Sequence, residues 1–252
     1  MAHKTLISGT AYSVSGGREL IGGTGYAKKK GRVLVNGTGY DIPFSSGIPL
    51  STVALGDILM LNENGSPVPF YVCKHDYESG LNGAGRTLVV RKDCYDNRVF
   101  SNSNNAYASS ALDSWLCNTY LKLLDADIQA AIGMTKFYYT PGNGNYTVTT
   151  LQRAVFQLSL TELGKSASYA KTEGSALPIA STLQIAFRNG SAVTQWTRTP
   201  CMYNTNYVCF LAINGNLSYG DCIRSDGSRP AFTLPSTFPV IQNPDGTYSP
   251  AA

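Results

Sequence analysis

At 252 residues the chain is long enough to bury a sizeable core, and its 43% apolar content is that of a globular protein. Charged residues make up only 14%, whereas Tyr reaches 16 and Gly 25, a mix suited to turn-rich β folds and to binding surfaces. The net charge of +4 comes from residues 1–49, where six cations face two anions; the rest is neutral and lacks the basic face of a nucleic-acid binder.

Residues 4–45 hold a repeat with a 14-residue period. Lys4-Thr5-Leu6-Ile7-Ser8-Gly9-Thr10-Ala11-Tyr12 recurs in register from Arg18 to Tyr26 and from Arg32 to Tyr40. Each copy reads as a strand, a turn at a glycine pair or Asn36-Gly37, and a second strand carrying the tyrosine. One hairpin is marginal in water, so the copies need each other or a partner chain. Residues 1–49 are therefore expected to form an assembly or attachment module, against the plainer reading of a small β-sheet packed on the main domain, and a homotrimer is the expected state. The Lys28-Lys29-Lys30 run reads as a solvated turn between repeats. Ser45-Ser46-Gly47-Ile48-Pro49 reads as a hinge.

Beyond it the pattern predicts strands at Val53–Leu61 and Val68–Cys73 around an Asn64-Gly65 turn, and another at Arg86–Lys92. Asn102–Ala108 reads as a polar loop. Ser109 or Ser110 is placed to cap a helix running to Leu124, with Leu112, Trp115, Leu116, Tyr120 and Leu123 along one stripe; Trp115 is expected to be a core anchor. Asp125 would cap a second helix, Ala126–Ile132. Phe137–Tyr146 reads as an aromatic, glycine-rich loop, and Thr147–Leu160 as containing a strand that leads to a helical turn starting at Ser159 or Thr161. Two mid-chain helices beside antiparallel strands give an α+β class.

The segment from Gln195 to Leu234 has apolar ends and a polar, exposed-looking middle. Trp196, Arg198, Arg229 and Phe232 lie inside the apolar phrases and are expected to be structural, the two arginines making buried hydrogen bonds. Between them, residues 201–226 are rich in Tyr, Asn, Ser and Gly. Tyrosine gives a large amphipathic contact at low entropy cost, and amides give adaptable hydrogen bonds. Tyr203, Asn204, Asn206, Tyr207, Asn214, Asn216, Tyr219, Asp221 and Arg224 are the candidate ligand-facing residues, against the plainer reading that they are polar loop residues joining strands.

Several phrases, in order, resemble C-type-lectin-like domains of gut bacteria and their phages: Leu55-Gly56-Asp57-Ile58, Tyr107–Asn118, Val155–Ser159 with Glu162, Trp196–Pro200, Phe210–Gly215 and Ser228–Phe232. They cover roughly residues 53–235. Thr197 and Ser228 depart from the family's usual Leu and Val. The resemblance implies a C-type-lectin-like domain over residues 50–252, in a virion or tail-associated protein whose C-terminal domain meets a host-surface receptor, protein or glycan, while residues 1–49 meet other virion proteins. Related domains are targets of diversity-generating retroelements, whose adenine-directed changes favour Asn, Tyr, Ser and Asp at exposed sites; that is an analogy for residues 201–226.

The alternatives are weaker. Cys73, Cys94, Cys117, Cys201, Cys209 and Cys222 form no CxxC pair, and with only His3 and His75 no zinc pattern can be assembled. Formylglycine-generating enzymes share the broad fold and use cysteines, so Cys201, Cys209 and Cys222 must be weighed, but no base lies near them in sequence. The sugar-binding Glu-Pro-Asn type motifs are absent, and Asp221 and Asp226 are too few for a calcium site. No catalytic residue, metal or cofactor is therefore expected. A bacterial cell-surface adhesion protein with the same domain is a further alternative. The Met1-Ala2-His3-Lys4 start shows no apolar leader and no run reaches transmembrane length, so synthesis in a cytoplasm and no membrane contact are expected.

Overall fold

The computed structural model describes residues 47–251 in full and, within residues 3–43, the backbone of six strands. These six pair as three antiparallel hairpins, His3–Ile7 with Thr10–Val14, Arg18–Ile21 with Thr24–Ala27, and Lys30–Val35 with Thr38–Pro43. In each, two residues separate the strands where the repeat predicts its turn. Lys30 opens the third hairpin, whereas Lys28, Lys29, Ser45 and Ser46 lie outside the described residues.

The chain is mixed α+β and mostly sheet. An eight-stranded sheet runs in the order Val155–Phe156, Ala231–Pro235, Arg86–Arg91, Ser66–Lys74, Ile58–Glu63, Tyr248–Pro250, Pro239–Gln242, Ile48–Pro49. Its central hairpin closes on Asn64 (φ 52°) and Gly65 (φ 73°), the left-handed pair that matches strand twist. The first strand starts at Ile58 rather than Val53, because the chain turns through Gly56 at φ 96°. The last two residues of the predicted hinge, Ile48 and Pro49, are instead strand, paired with Val240 and Pro239.

A second, five-stranded sheet has the order Asn97–Val99, Ser225–Gly227, Gln195–Pro200, Tyr207–Leu211, Leu217–Asp221. All six residues of Gln195–Pro200 are buried, which is what places this strand at the centre of the domain. Leu88, Val89, Phe156, Trp196, Phe210 and Phe232 belong to one continuous core.

Ser110 caps the helix Ala111–Asn118 by accepting from the Asp113 N–H at 3.0 Å. The α-helix stops at Asn118, six residues short of the predicted end, and continues as a 3₁₀ turn over Tyr120–Leu123. There the Tyr120 hydroxyl donates to Glu63, which also pairs with Arg91, so tertiary bonds draw the chain off the helix axis. Trp115 is half-buried at the edge of the core, with the Arg98 guanidinium 3.6 Å over its ring, rather than a deep anchor. The second predicted helix forms at Ala126–Ala131, but Asp125 spends its carboxylate on the Asn62 amide (2.7 Å) instead of capping. Two single-turn α-helices, Ser79–Asn82 and Ala180–Leu183, and the 3₁₀ turns Leu50–Thr52 and Tyr107–Ser109 complete the helical content among the described residues.

Phe137–Tyr139 is not loop: it lies in the strand Thr135–Tyr139, paired with Thr149–Arg153. At Ser159 the helical turn takes the form of a capping box. The Ser159 hydroxyl accepts from the Glu162 N–H (3.1 Å) and the Glu162 carboxylate from the Ser159 N–H (2.8 Å). No helix among the described residues is long and apolar enough to cross a membrane.

Candidate functional site

The frame comes first. Arg198 is fully buried; it donates to Glu162 at 2.7 Å, to the Gln157 carbonyl at 2.9 Å and twice to the Tyr138 carbonyl, and stacks 4.4 Å over Phe137. The Glu162 carboxylate also accepts from the Tyr77 hydroxyl. Burial alone would pull the Arg198 guanidinium down, but Glu162, Tyr77 and Glu173 more than reverse this, so it stays charged. Glu173, fully buried, accepts from Thr199 and the Thr140 N–H, and burial pushes its carboxyl up.

Arg229 has a different cage. Its guanidinium donates to the carbonyls of Arg91, Lys92 and Leu183 and to the Gln195 amide, with no carboxylate in contact among the described residues, and burial pulls its pKa down. Gln157 ties the two arginine phrases together: its amide N donates to the Trp196 carbonyl at 2.6 Å, and its amide O accepts from the Arg229 N–H at 3.1 Å. Trp196, Arg198, Arg229 and Phe232 are thus placed in the interior, where the sequence puts them.

On this frame the chain turns through residues 201–206. Asn105, a fully buried amide on a distant loop, organises the turn: its Nδ2 reaches the carbonyls of Cys201 (3.1 Å), Asn204 (3.1 Å) and Tyr207 (2.9 Å). Its own N–H donates to the Thr205 carbonyl at 2.7 Å, and its Oδ1 accepts from the Asn143 N–H. Gly142 (φ 78°) makes this contact feasible, since a Cβ there would sit 2.6 Å from the Asn105 carbonyl oxygen.

The hairpin that follows sorts the candidate residues by alternation. Tyr207 lies opposite Asp221, Cys209 opposite Tyr219 and Leu211 opposite Leu217, so these side chains share one face. Tyr219 meets Tyr207, Tyr203 and Tyr169 with ring centroids 5.6, 5.7 and 5.0 Å away, and Tyr169 meets Tyr203 at 5.0 Å. The result is a four-ring patch. Tyr203 is 64% exposed and Tyr219 38%, while Tyr207 and Tyr169 are half-buried. Asn204 and Asn206 border it on the exposed turn; the Asn204 Oδ1 accepts from the Asn206 N–H, and its amide N has no partner among the described residues.

The remaining candidates lie elsewhere. Asn214 and Asn216 are exposed at the hairpin tip, separated from the Tyr207–Asp221 end by four residue steps, more than about 13 Å. Arg224 turns to the opposite face, 4.5 Å over Phe210 and paired with Asp226 at 3.2 Å. The Asp221 carboxylate is half-buried and accepts from the Ile223 N–H. Asn105, Gly142 and Tyr169 are absent from the sequence-based set. Nothing distinguishes Asn105 from its neighbours Asn102 and Asn104 in the chain, and Tyr169 sits in a Ser/Ala/Lys stretch far from the hairpin.

Cys201 and Cys209 come together beneath the patch. The hydrogen bond from Cys209, opposed by burial and aided by the Tyr203 and Asn204 amides, brings the Cys201 thiol down to about 7, while the Cys209 thiol is pushed far up. Both are fully buried. Among the described residues no histidine stands beside them: His75 is held between Thr87 and the Val53 carbonyl, just past the strand Ser66–Lys74, and the nearby Glu173 carboxylate, which adds to the rise of the Cys209 thiol, is engaged by Thr199 and the Thr140 N–H. Among the described residues no group of three or more His, Cys, Asp or Glu is disposed to hold a metal. A groove of about 510 Å³ along Ala111–Asn118 is lined by Ser110, Asp113, Cys117 and Arg153, and includes none of the predicted ligand-facing residues.

Residues 84–236 match the model of a family described as a domain of unknown function, DUF6273. No curated protein and no solved structure matches the chain.

Proposed function

The chain belongs to the DUF6273 family, and from that premise we propose that it is a non-catalytic recognition protein: a C-type-lectin-like domain, carried on a phage particle by its N-terminal hairpins, that binds a host-surface ligand. The observation that carries this reading is the contact of Tyr169, Tyr203, Tyr207 and Tyr219 in one outward-facing patch over a buried, hydrogen-bonded frame. A surface that only links strands has no reason to gather four large rings; apolar area left in water costs stability and is retained where something covers it. Attachment to other virion proteins and trimerisation through residues 1–49 belong to the same proposal, supported by the three hairpins and the phrases that resemble phage lectin-like domains.

The test is adhesion. Purified full-length protein is applied to a panel of gut bacterial cells, and the Tyr203→Ala/Tyr219→Ala variant is compared at matched folding. Retention by at least one strain, lost in the variant while the thermal midpoint is preserved, is the expected outcome. Equal retention of both proteins on every strain that retains the wild type, or retention of the wild type by none, would overturn it.

A second reading, a cysteine-oxidising enzyme of the formylglycine-generating type, draws on the Cys201–Cys209 pair and its depressed thiol. It ranks lower because both cysteines are fully buried, so a peptide thiol could reach neither sulfur without the surrounding chain moving.

A further inference from the structure

We propose that Cys201 and Cys209 are a redox-responsive pair, converted by a small peroxide into a disulfide that closes the presenting turn at its base. The inference goes beyond the recognition reading and does not depend on what the tyrosine patch binds.

Position selects this pair among the six free cysteines. Cys201 opens the turn, and Cys209 lies in the strand Tyr207–Leu211 that follows it. The Cys201 N–H donates to the Tyr207 carbonyl at 2.9 Å. Tyr207 and Cys209 project to one face, and a hydrogen bond joins the Cys209 and Cys201 thiols. Both backbones are pinned: the Asn105 amide donates to the Cys201 carbonyl at 3.1 Å, and the Thr197 hydroxyl to the Cys209 carbonyl at 2.7 Å. The frame thus keeps the sulfurs side by side, which a bridge requires. None of the other four bonds to a second thiol among the described residues. The Cys73 and Cys117 thiols donate to the Tyr71 and Val155 carbonyls, and Cys94 lies against Gly227.

The two thiols are unequal in the way the reaction needs. The bond from Cys209, with the Tyr203 and Asn204 N–H groups, lowers Cys201 to about 7, so a thiolate is present at neutral pH. The same bond, and then burial, pushes Cys209 far up, and it keeps its proton. The Cys201 thiolate attacks one peroxide oxygen, the O–O bond breaks, hydroxide leaves, and Cys201 becomes a sulfenic acid. The Cys209 sulfur then attacks the Cys201 sulfur. The S–S bond forms, the S–O bond breaks, and the oxygen leaves as water with the Cys209 proton. The pair gives up two electrons and the peroxide takes them. Both cysteines are buried, but peroxide is hardly larger than water, and residues 203–206 of the turn that Cys201 opens are all exposed. Local opening of that short segment admits the oxidant.

The experiment treats the reduced full chain with hydrogen peroxide, blocks remaining thiols with N-ethylmaleimide and cuts the unreduced product with trypsin. Two of the six thiols are expected to vanish, leaving the peptide Thr199–Arg224 two hydrogens lighter and blocked only at Cys222. A chymotryptic cut after Tyr203 or Tyr207 should then leave two fragments joined until dithiothreitol is added. The rate of thiol loss should rise about tenfold between pH 6 and pH 8, as the Cys201 thiolate fills. The bridge should raise the folding equilibrium constant roughly 50- to 100-fold in urea titration, reversibly with dithiothreitol. In Cys209→Ser the reaction should stop at a sulfenic acid on Cys201 that dimedone traps. Survival of all six thiols at a peroxide dose that oxidises the urea-unfolded chain, or a bridge to any other cysteine, would overturn the pairing, and the wild type alone decides this. A bridge that leaves unfolding unchanged would refute the closure of the turn. No ligand enters these readouts, so failure here leaves the recognition reading as it stands.

Discussion

Removing the Asn105 side chain tests whether the presenting turn is held from outside itself. In Asn105→Ala the turn loses the Nδ2 contacts to Cys201, Asn204 and Tyr207, and Asn143 loses its acceptor. The amide has two hydrogens for three carbonyls, so it makes about two full donor bonds plus one accepted bond. At about 1 kcal/mol net for each, with an added cost for carbonyls left buried and unpaired, the loss comes to about 3 kcal/mol. For a domain of this size that is a fall of about 6–12 °C in the thermal midpoint. The Asn105 N–H bond to Thr205 survives, so the turn loosens without detaching. Adhesion through Tyr203 should therefore weaken below the melting temperature, in excess of any unfolding. Asn105→Asp sharpens the test, because it aims a carboxylate at three carbonyl oxygens. The introduced acid would have its pKa raised in the fold, so its penalty grows as pH rises above the unfolded value and is smaller at pH 4 than at pH 7. Chemical denaturation followed by tyrosine fluorescence, alongside cell retention, reads both effects. A cost under about 1 kcal/mol for Asn105→Ala with adhesion unchanged would refute the reasoning.

Three further outcomes follow from the same geometry. Arg198→Met strands Glu162 in the interior and should cost about 3–5 kcal/mol in urea unfolding, with partial recovery in Arg198→Met/Glu162→Gln; additive losses would contradict a coupled pair. Gly142→Ala must place a methyl 2.6 Å from the Asn105 carbonyl oxygen at a left-handed φ, and should cost about 1–3 kcal/mol and mimic the adhesion loss of Asn105→Ala; a neutral effect in calorimetry would show that the two loops do not meet. The Cys201 thiol, lowered from its ordinary 9.0 to about 7, stabilises the fold fully above the ordinary value and loses that contribution as pH falls through 7. Unfolding free energy should therefore climb between pH 7 and 9, where the raised Cys209 thiol begins to act in the opposite sense, and Cys201→Ser should flatten the climb. A flat wild-type profile over that range would exclude the depressed thiol.

Local chemistry was readable wherever a residue acts on its neighbours. Ser110 caps three residues ahead, Ser159 and Glu162 box one turn, Asn64-Gly65 supplies its own φ angles, and the three hairpins follow from a repeat that states its period. Burial of Trp196, Arg198, Arg229 and Phe232 was readable because each arginine sits in an apolar phrase that has no other use for a cation. The helix end at Asn118 and the strand at Phe137–Tyr139 were not, since both depend on distant partners: Glu63 for Tyr120, Thr149–Arg153 for the strand. The site divides on the same line. Composition marked the tyrosines of one segment, but only register shows that Tyr207 and Tyr219 share a face while Arg224 does not. Asn105 and Tyr169 reach the segment from 96 and 34 positions before Cys201 and Tyr203, distances over which no pattern in the chain speaks.

One side chain, Gln157, holds both ends of the stretch between Trp196 and Arg229. The two anchor points are thereby fixed to each other through a third segment, just past the strand Val155–Phe156, independently of what lies between them. Rewriting the intervening residues would alter the cargo while the closure of the loop stays the same. A library built on residues 203–206 and 219 should accordingly yield folded members at high frequency, and this chain would serve as a display scaffold whose randomised face comes already clamped at its roots.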